Sequence, residues 1–187
     1  SVTVARTIPQ LKAFVEQGGS VLAIGSSTRL ARQFGLPVSS ALVSKGADGS
    51  TQPLPRSRFY VPGSVLRVSV DNTTPLGYGF ERQVDALFDD SPAFTLDAGA
   101  AAAGVTQVAW YDSDAPLRSG WAWGQSFLKG SAAVVDAPLG KGHVLLFGPE
   151  IAFRAQPHGT FKFLFNGIYY GSAAPVSSQA LAVSRRN

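Results

Sequence analysis

The sequence predicts an α/β domain with a parallel sheet. Three neighbouring patterns support this class. "RTIPQLKAFVEQGG" (residues 6–19) has apolar residues at helical spacing and ends in paired glycines. "SVLAIG" (residues 20–25) is a continuous apolar run, typical of a strand buried on both faces. A second helical pattern then places Leu30, Ala31 and Phe34 on one side.

The first helix has identifiable start and stop signals. Thr7 and Gln10 have the spacing of a capping box at its beginning. Leu11, Phe14 and Val15 form its predicted apolar stripe, and the glycines at 18 and 19 end it.

The rest of the chain predicts a mixture of strands, loops and one further helix. Residues 44–63 are rich in turn formers and predict a long loop, and "SVLRVSVD" alternates like a half-exposed strand. "DAGAAAAG" predicts a linker, "VTQVAWY" a strand, and "AAVVDAPLGKGHVLLFG" a hairpin. In the helix predicted over "HGTFKFLFNGIYYG", the apolar stripe is Phe161, Leu164, Phe165 and Ile168. We expect one domain over residues 1–171 and a flexible tail over 172–187.

Composition excludes several classes of protein. The chain has 187 residues and contains no cysteine, which excludes disulfides, a thiolate nucleophile and cysteine-based metal sites. Its net charge of +4 comes from scattered basic residues, so we expect no nucleic-acid partner. No apolar run approaches the length of a membrane span. Only 15% of the residues are charged, a surface that fits a secreted or periplasmic protein or a domain covered by a partner.

The turn after "SVLAIG" is a candidate nucleophile elbow. Ser26 or Ser27 is the candidate nucleophile and His158 the base, with Glu150 or an aspartate as the group that orients it. The structural alternative is that Gly25 permits a tight turn, Ser27 caps a helix and His158 fixes a loop. Both alternatives remain open at the level of sequence.

Two further sets of residues are candidates for ligand binding. Trp121 and Trp123 flank Ala122 in "PLRSGWAWGQ", beside Arg118 and Gln125, and exposed indoles would stack on a sugar or a peptide side chain. The alternative is that both indoles pack on one face of a strand.

The loop "RAQPHGTF" contributes Arg154, Gln156 and His158, which either line a crevice or tie the loop to its neighbours. The two histidines, His143 and His158, lack zinc-site spacing, so we predict no metal in this chain.

Four segments together resemble the C-terminal region of bacterial zinc carboxypeptidase-like proteins of the M14 peptidase family. These are "LKAFVEQGGSVLAIGSST", "FYVPGSVLRVSVDNTTPLGYG", "PLRSGWAWGQ" and "LFGPEIAFRAQPHGTFKFLFNG". The resemblance covers roughly Thr7 to Tyr170. It implies a flavodoxin-like domain, similar to class I glutamine amidotransferases, with a mostly parallel sheet and flanking helices. It also implies an N-terminal zinc peptidase domain as the partner, with the zinc held there.

The resemblance also implies that the amidotransferase site is degenerate. In those enzymes a cysteine lies on the turn after a buried strand, and Gly25 of "LAIGSS" stands at its position. A later run contains their histidine and glutamate; here "LFGPE" keeps Glu150 but has Gly148 at the histidine's position. The implied role is a non-catalytic accessory domain that supports the peptidase or binds a peptide or cell-wall ligand. Gly25, Ser26 and Ser27 would line the binding crevice, with Glu150, Arg154 and His158 opposite.

The chain departs from amidotransferase-like domains by beginning at the helix before the elbow strand. We therefore expect an N-terminally truncated domain with an exposed sheet edge, which a peptidase domain or another chain would cover.

Overall fold

The computed structural model describes residues 3–46, 48–171 and 173. Within these ranges a mixed sheet carries two longer helices and one short helix. The helices are α1 (Thr7–Glu16), α2 (Leu30–Gln33) and α3 (Phe161–Gly171). The strands are β1 (Ser20–Ile24), β2 (Val38–Ser40), β3 (Val43–Lys45), β4 (Thr51–Pro53), β5 (Ser64–Val70), β6 (Gln83–Phe88), β7 (Phe94–Leu96), β8 (Thr106–Trp110), β9 (Leu117–Ser119), β10 (Ala132–Leu139) and β11 (Gly142–Phe147).

The main sheet has the strand order β1-β11-β10-β8-β5-β6. In the described part of the chain, β1 and β11 form the one parallel pair, and the other pairings are antiparallel. The mostly parallel sheet that we predicted is therefore wrong in its strand directions, although the α/β class holds. The reason is that parallel neighbours are usually joined by a helical crossover, and the described chain has no α-helix between α2 and α3.

Strand β1 lies at one end of this order, and β11 is its one strand neighbour among the described residues. Only Ala23 of β1 is fully buried, so the prediction of a strand buried on both faces is wrong. Phe14 of α1 and Phe165 of α3 are each 53% exposed. This edge combines one open row of main-chain groups with apolar side chains on the nearby helices.

Two hydrophobic cores lie on opposite faces of the sheet. On one face α1 and α2 contribute Ile8, Val15, Ala31 and Phe34. On the other face α3 contributes Phe163, and its Gly167 lies against Leu22 and Leu145.

Several local predictions are confirmed, including α1, α3, β5, β8 and the β10–β11 hairpin. Others are wrong. The helix α1 has no side-chain cap, because the Thr7 hydroxyl accepts a hydrogen bond from the Thr3 N–H instead. The buried face of α3 differs from the predicted apolar stripe. Phe163 and Gly167 are buried, whereas Ile168 of the predicted stripe is 52% exposed.

The predicted loop over residues 44–63 includes part of a hairpin formed by β3 and β4. The predicted linker over residues 97–104 is a turn between two strands of the same sheet, and its Ala100 is buried. The predicted tail lies outside the described residues except for Ala173. None of the described helices is long and apolar enough to cross a membrane.

Candidate functional site

The candidate elbow lies at the carboxyl end of β1, where the chain enters a 3₁₀ turn over Gly25–Arg29. Gly25 has a φ of +55°, in the left-handed region that favours glycine. The Ser27 hydroxyl accepts a hydrogen bond from the Ile24 N–H at 2.8 Å and donates one to the Ile24 carbonyl at 2.7 Å. The Ser26 side chain is exposed. The turn thus has the backbone of an elbow, and the Ser27 hydroxyl is engaged in shaping it.

The segment after β11 lies beside the elbow, because β11 is parallel to β1. The Glu150 carboxylate occupies the position that a Cβ atom on Gly25 would take. A Cβ atom on Gly148 would instead collide with the main-chain oxygen of Pro92. The first obstacle is the end of a flexible side chain, whereas the second is backbone. Position 148 is therefore closed to any side chain.

The loop that follows presents Arg154, Gln156 and His158 on the surface, all three exposed. Arg154 and Ala155 have positive φ angles of 48° and 54°, an uncommon and strained conformation for residues with a side chain. The Arg154 guanidinium lies 5.1 Å from the centre of the Phe153 ring. His158 Nε2 is 3.1 Å from the Ala155 carbonyl oxygen, so this imidazole ties the loop to itself.

No hydrogen bond joins Ser26, His158 and Glu150 to one another in the described part of the chain. A serine nucleophile needs a base within reach, although such contacts often tighten only when substrate binds. The structure therefore contains no preassembled triad, and the hydrolase alternative stays a prediction.

The two tryptophans lie outside the regular strands and are 53% (Trp121) and 54% (Trp123) exposed. The alternative in which they pack on one face of a strand is wrong. Tyr60 and Trp123 exchange two main-chain hydrogen bonds, of 3.0 and 2.9 Å. The buried Ser64 hydroxyl bonds the N–H and the carbonyl of Trp121. Hydrogen bonds thus hold the main chain of both tryptophans in place.

Side chains from the 55–60 segment complete this region. Trp123 donates its Nε1–H to the Ser57 carbonyl at 2.9 Å, and Tyr60 contacts Trp121 edge to face at 5.8 Å. The Arg58 guanidinium lies 5.0 Å from the centre of the Phe127 ring. We call the four aromatic residues Tyr60, Trp121, Trp123 and Phe127 the aromatic surface.

A shallow groove of about 370 Å³ lies beside two members of the aromatic surface, and its lining is Ser57, Arg58, Trp123, Gly124 and Phe127. Gly124 has a φ of +71°, and a Cβ atom there would collide with the Arg58 carbonyl oxygen. Glycine at this position lets the two segments approach closely enough to form the groove.

The sequence predicted Arg118 and Gln125 beside the two tryptophans. Gln125 Oε1 instead accepts the Leu117 N–H at 3.0 Å, and Arg118 lies 3.7 Å from Asp85. The arginines that do adjoin the aromatic surface are Arg56 and Arg58. Their signal was the pair of arginines followed by two aromatic residues in "RSRFY" (residues 56–60), within the stretch predicted only as a loop.

A larger open groove of about 830 Å³ lies along β5 and β6 and includes Arg67, Arg82 and Trp110 in its lining. Asp85 accepts two hydrogen bonds from Arg67, at 2.9 and 3.2 Å, and this ion pair raises the pKa of the guanidinium. The Arg67 guanidinium in this groove is therefore already paired with Asp85.

A third polar cluster lies near the amino end of β11, away from the elbow. His143 Nδ1 is 2.8 Å from Asp136 Oδ1, and the His143 and Tyr170 rings are 4.9 Å apart. Burial and the neighbouring Asp136 carboxylate raise the pKa of Tyr170 to about 12. No group of three metal-binding side chains occurs among the described residues, and His143 and His158 belong to different clusters.

Comparison with known proteins gives a likeness in fold alone. No family model matches the sequence, and no curated protein matches it significantly. A cytoplasmic protein from Salmonella typhimurium LT2 is similar in structure, with a TM-score of 0.50 and 13% identity, over 89% of this chain and 60% of the other. A GMP synthase-type protein from Thermoplasma acidophilum gives 0.48 and 10%, over 89% and 66%.

A β-galactosidase from Bacillus circulans sp. alkalophilus gives a TM-score of 0.48 and 11% identity, over 89% of this chain and 20% of that enzyme. The chain thus spans from a fifth to just under two thirds of the length of these structures. The fold itself is a mixed α/β arrangement.

Proposed function

We propose that this chain is a non-catalytic accessory domain with a degenerate amidotransferase-type site, part of an M14-type zinc carboxypeptidase-like protein. The observation that carries the proposal is the pair of glycines at the elbow. Gly25 stands where the resemblance expects the nucleophile, and the backbone around Gly148 leaves no room for the base. Amide transfer from glutamine needs both groups, because an unactivated nucleophile reacts too slowly.

Hydrolysis assays test the absence of catalysis. We expect no turnover of glutamine, and any turnover of an activated ester to be the same in Ser26→Ala, His158→Ala and Glu150→Gln. Ser119→Ala, which changes an exposed serine on β9, is the matched control. Turnover that disappears in the first three variants but persists in the control would establish the serine hydrolase instead.

The accessory role is supported by the sequence resemblance and by the open edge at β1. In this proposal the zinc-bearing peptidase domain, or another chain, covers that edge, and the protein is exported. Intact mass and peptide mapping of the native protein test it. We expect a larger chain with a His-x-x-Glu segment upstream, and a native mass matching these 187 residues would count against it.

A second function, binding of a glycan or peptide, is favoured by the exposure of both tryptophans. Aromatic side chains held in place and open to solvent stack on sugar rings at little entropic cost. Pull-down on insoluble cell-wall material tests this function. We expect the wild-type chain to be retained and the double variant Trp121→Ala/Trp123→Ala to be lost. Equal retention of the wild type and the double variant would show that the aromatic surface does not bind this material.

A further inference from the structure

We propose that the aromatic surface binds an acidic glycan, with Arg58 receiving a sugar carboxylate while Trp123 stacks on the ring beside it. This inference rests on the second function proposed above and names its ligand class. It is carried by the groove in which Arg58, Trp123 and Phe127 meet.

The first step is the fixed orientation of the stacking residues. The Nε1–H bond of Trp123 to Ser57 sets the direction of the indole and leaves 54% of the residue exposed. The Tyr60 ring contacts Trp121, and the bonds from Ser64 hold the Trp121 main chain. A ligand therefore meets aromatic faces that lose little freedom on binding.

The second step is the charge of Arg58. Arg56 forms an ion pair with Asp90 at 3.3 Å. No carboxylate in the described part of the chain pairs with Arg58, whose side chain rests on Phe127. A guanidinium held on a ring keeps its planar set of donors available, and this set matches a carboxylate. The site thus offers one positive charge next to an apolar stacking surface.

The third step distinguishes sugar from peptide. An extended peptide binds to a sheet edge through main-chain hydrogen bonds. Here the main-chain groups of Tyr60 and Trp123 already bond each other, and Ser64 bonds those of Trp121. Recognition must come from side chains, by stacking and by one charge, which suits a sugar ring carrying a carboxylate. With Arg56 already paired, the surface also lacks the basic stripe that a nucleic-acid strand requires.

The experiment is an array of neutral oligosaccharides and their carboxylated counterparts, with a single-stranded oligonucleotide as comparison, followed by calorimetric titration of the strongest binder. We expect binding to carboxylated members, weakened at least tenfold in Arg58→Gln and by raised salt. Trp123→Ala should abolish binding, and Trp121→Ala should weaken it, provided that thermal melting shows each variant folded.

Matched controls are Arg32→Gln, an exposed arginine on α2, and Tyr78→Ala, which is 75% exposed; both should bind like the wild type. Absence of any carboxylated binder, or binding only to the oligonucleotide, would overturn the inference. Binding of neutral glycans that depends on Trp123 but not on Arg58 would overturn the acidic ligand while leaving the proposed binding function intact. Acidic binding that is unchanged in both tryptophan variants would overturn the site itself.

Discussion

His143 Nδ1 lies 2.8 Å from Asp136 Oδ1, across the hairpin formed by β10 and β11. The Asp136 residue is 9% exposed, so its carboxylate relies on protein partners rather than on bulk water. Buried polar groups that lose a partner are costly, because their desolvation is no longer compensated.

We expect Asp136→Ala to lower the free energy of unfolding by about 1–3 kcal/mol, because it leaves the half-buried imidazole without its partner. Urea denaturation measures the change. In a double-mutant cycle with His143→Ala the two effects should be clearly less than additive. Additive effects would show that the contact contributes nothing to stability. Asp114→Ala, at an exposed residue, is the control.

Tyr170 predicts a loss of stability at alkaline pH. Its pKa is raised to about 12 in the folded protein, mainly by burial and then by Asp136, against about 10 in the unfolded chain. Below pH 10 both states hold the proton and this tyrosine adds no pH dependence. Between pH 10 and 12 the unfolded state ionises first, so stability falls as pH rises.

Denaturation curves from pH 8 to 12 should therefore show a smaller fall in Tyr170→Phe than in the wild type. Tyr78→Phe, at an exposed tyrosine, is the control and should follow the wild-type profile. Identical profiles for all three proteins would assign the alkaline loss to other groups.

Tyr111 predicts that removing a hydroxyl will stabilise the protein. Its side chain is fully buried, and its hydroxyl has no hydrogen-bond partner among the described residues. Burial also raises its pKa. We expect Tyr111→Phe to raise the free energy of unfolding by about 1 kcal/mol, since it removes an uncompensated polar group without changing the ring contacts. A loss of stability in chemical denaturation would mean that the hydroxyl is satisfied.

Alanine substitutions of the glycines at the elbow should destabilise the folded protein by different amounts. Gly148→Ala should cost the most, about 3 kcal/mol or more, because its Cβ meets the main-chain oxygen of Pro92. Gly25→Ala should cost about 1–2 kcal/mol from left-handed backbone strain, since the Glu150 carboxylate can move aside.

Gly35→Ala is the matched control for strain alone, with a φ of +74° and open space around its Cβ. Thermal or chemical unfolding of the three variants gives the order. If Gly148→Ala were the mildest, the backbone around Pro92 would have to be adaptable, and position 148 could accommodate a side chain.

The sequence predicted the three helices and five of the eleven strands of the described chain, because the periodicity of these elements is local. It did not predict the features that depend on contacts with neighbouring strands of the sheet. The run in β1 is apolar from Val21 to Ile24, yet the strand is an edge, because no second neighbour in the described chain pairs with it. In α3 several apolar residues compete for the buried face, and the small Gly167 lies there because Leu22 and Leu145 approach it closely.

At the candidate site, the Gly25 turn was predictable because only a few residues tolerate its conformation. The partnership of Arg58 with Phe127 and Trp123 was not, because it joins segments that are more than sixty residues apart in sequence. The basic and aromatic residues of "RSRFY" were visible, but nothing local showed which surface they would meet.

The parallel pairing of β1 with β11 has a consequence for biosynthesis. The partners of residues 20–24, at 143–147, leave the ribosome only after more than a hundred further residues. At ordinary translation rates this leaves the first strand unpaired for roughly ten seconds. During that interval an apolar segment is available to chaperones or to other nascent chains. The order of synthesis thus leaves β1 without its strand partner until the β10–β11 hairpin has been made.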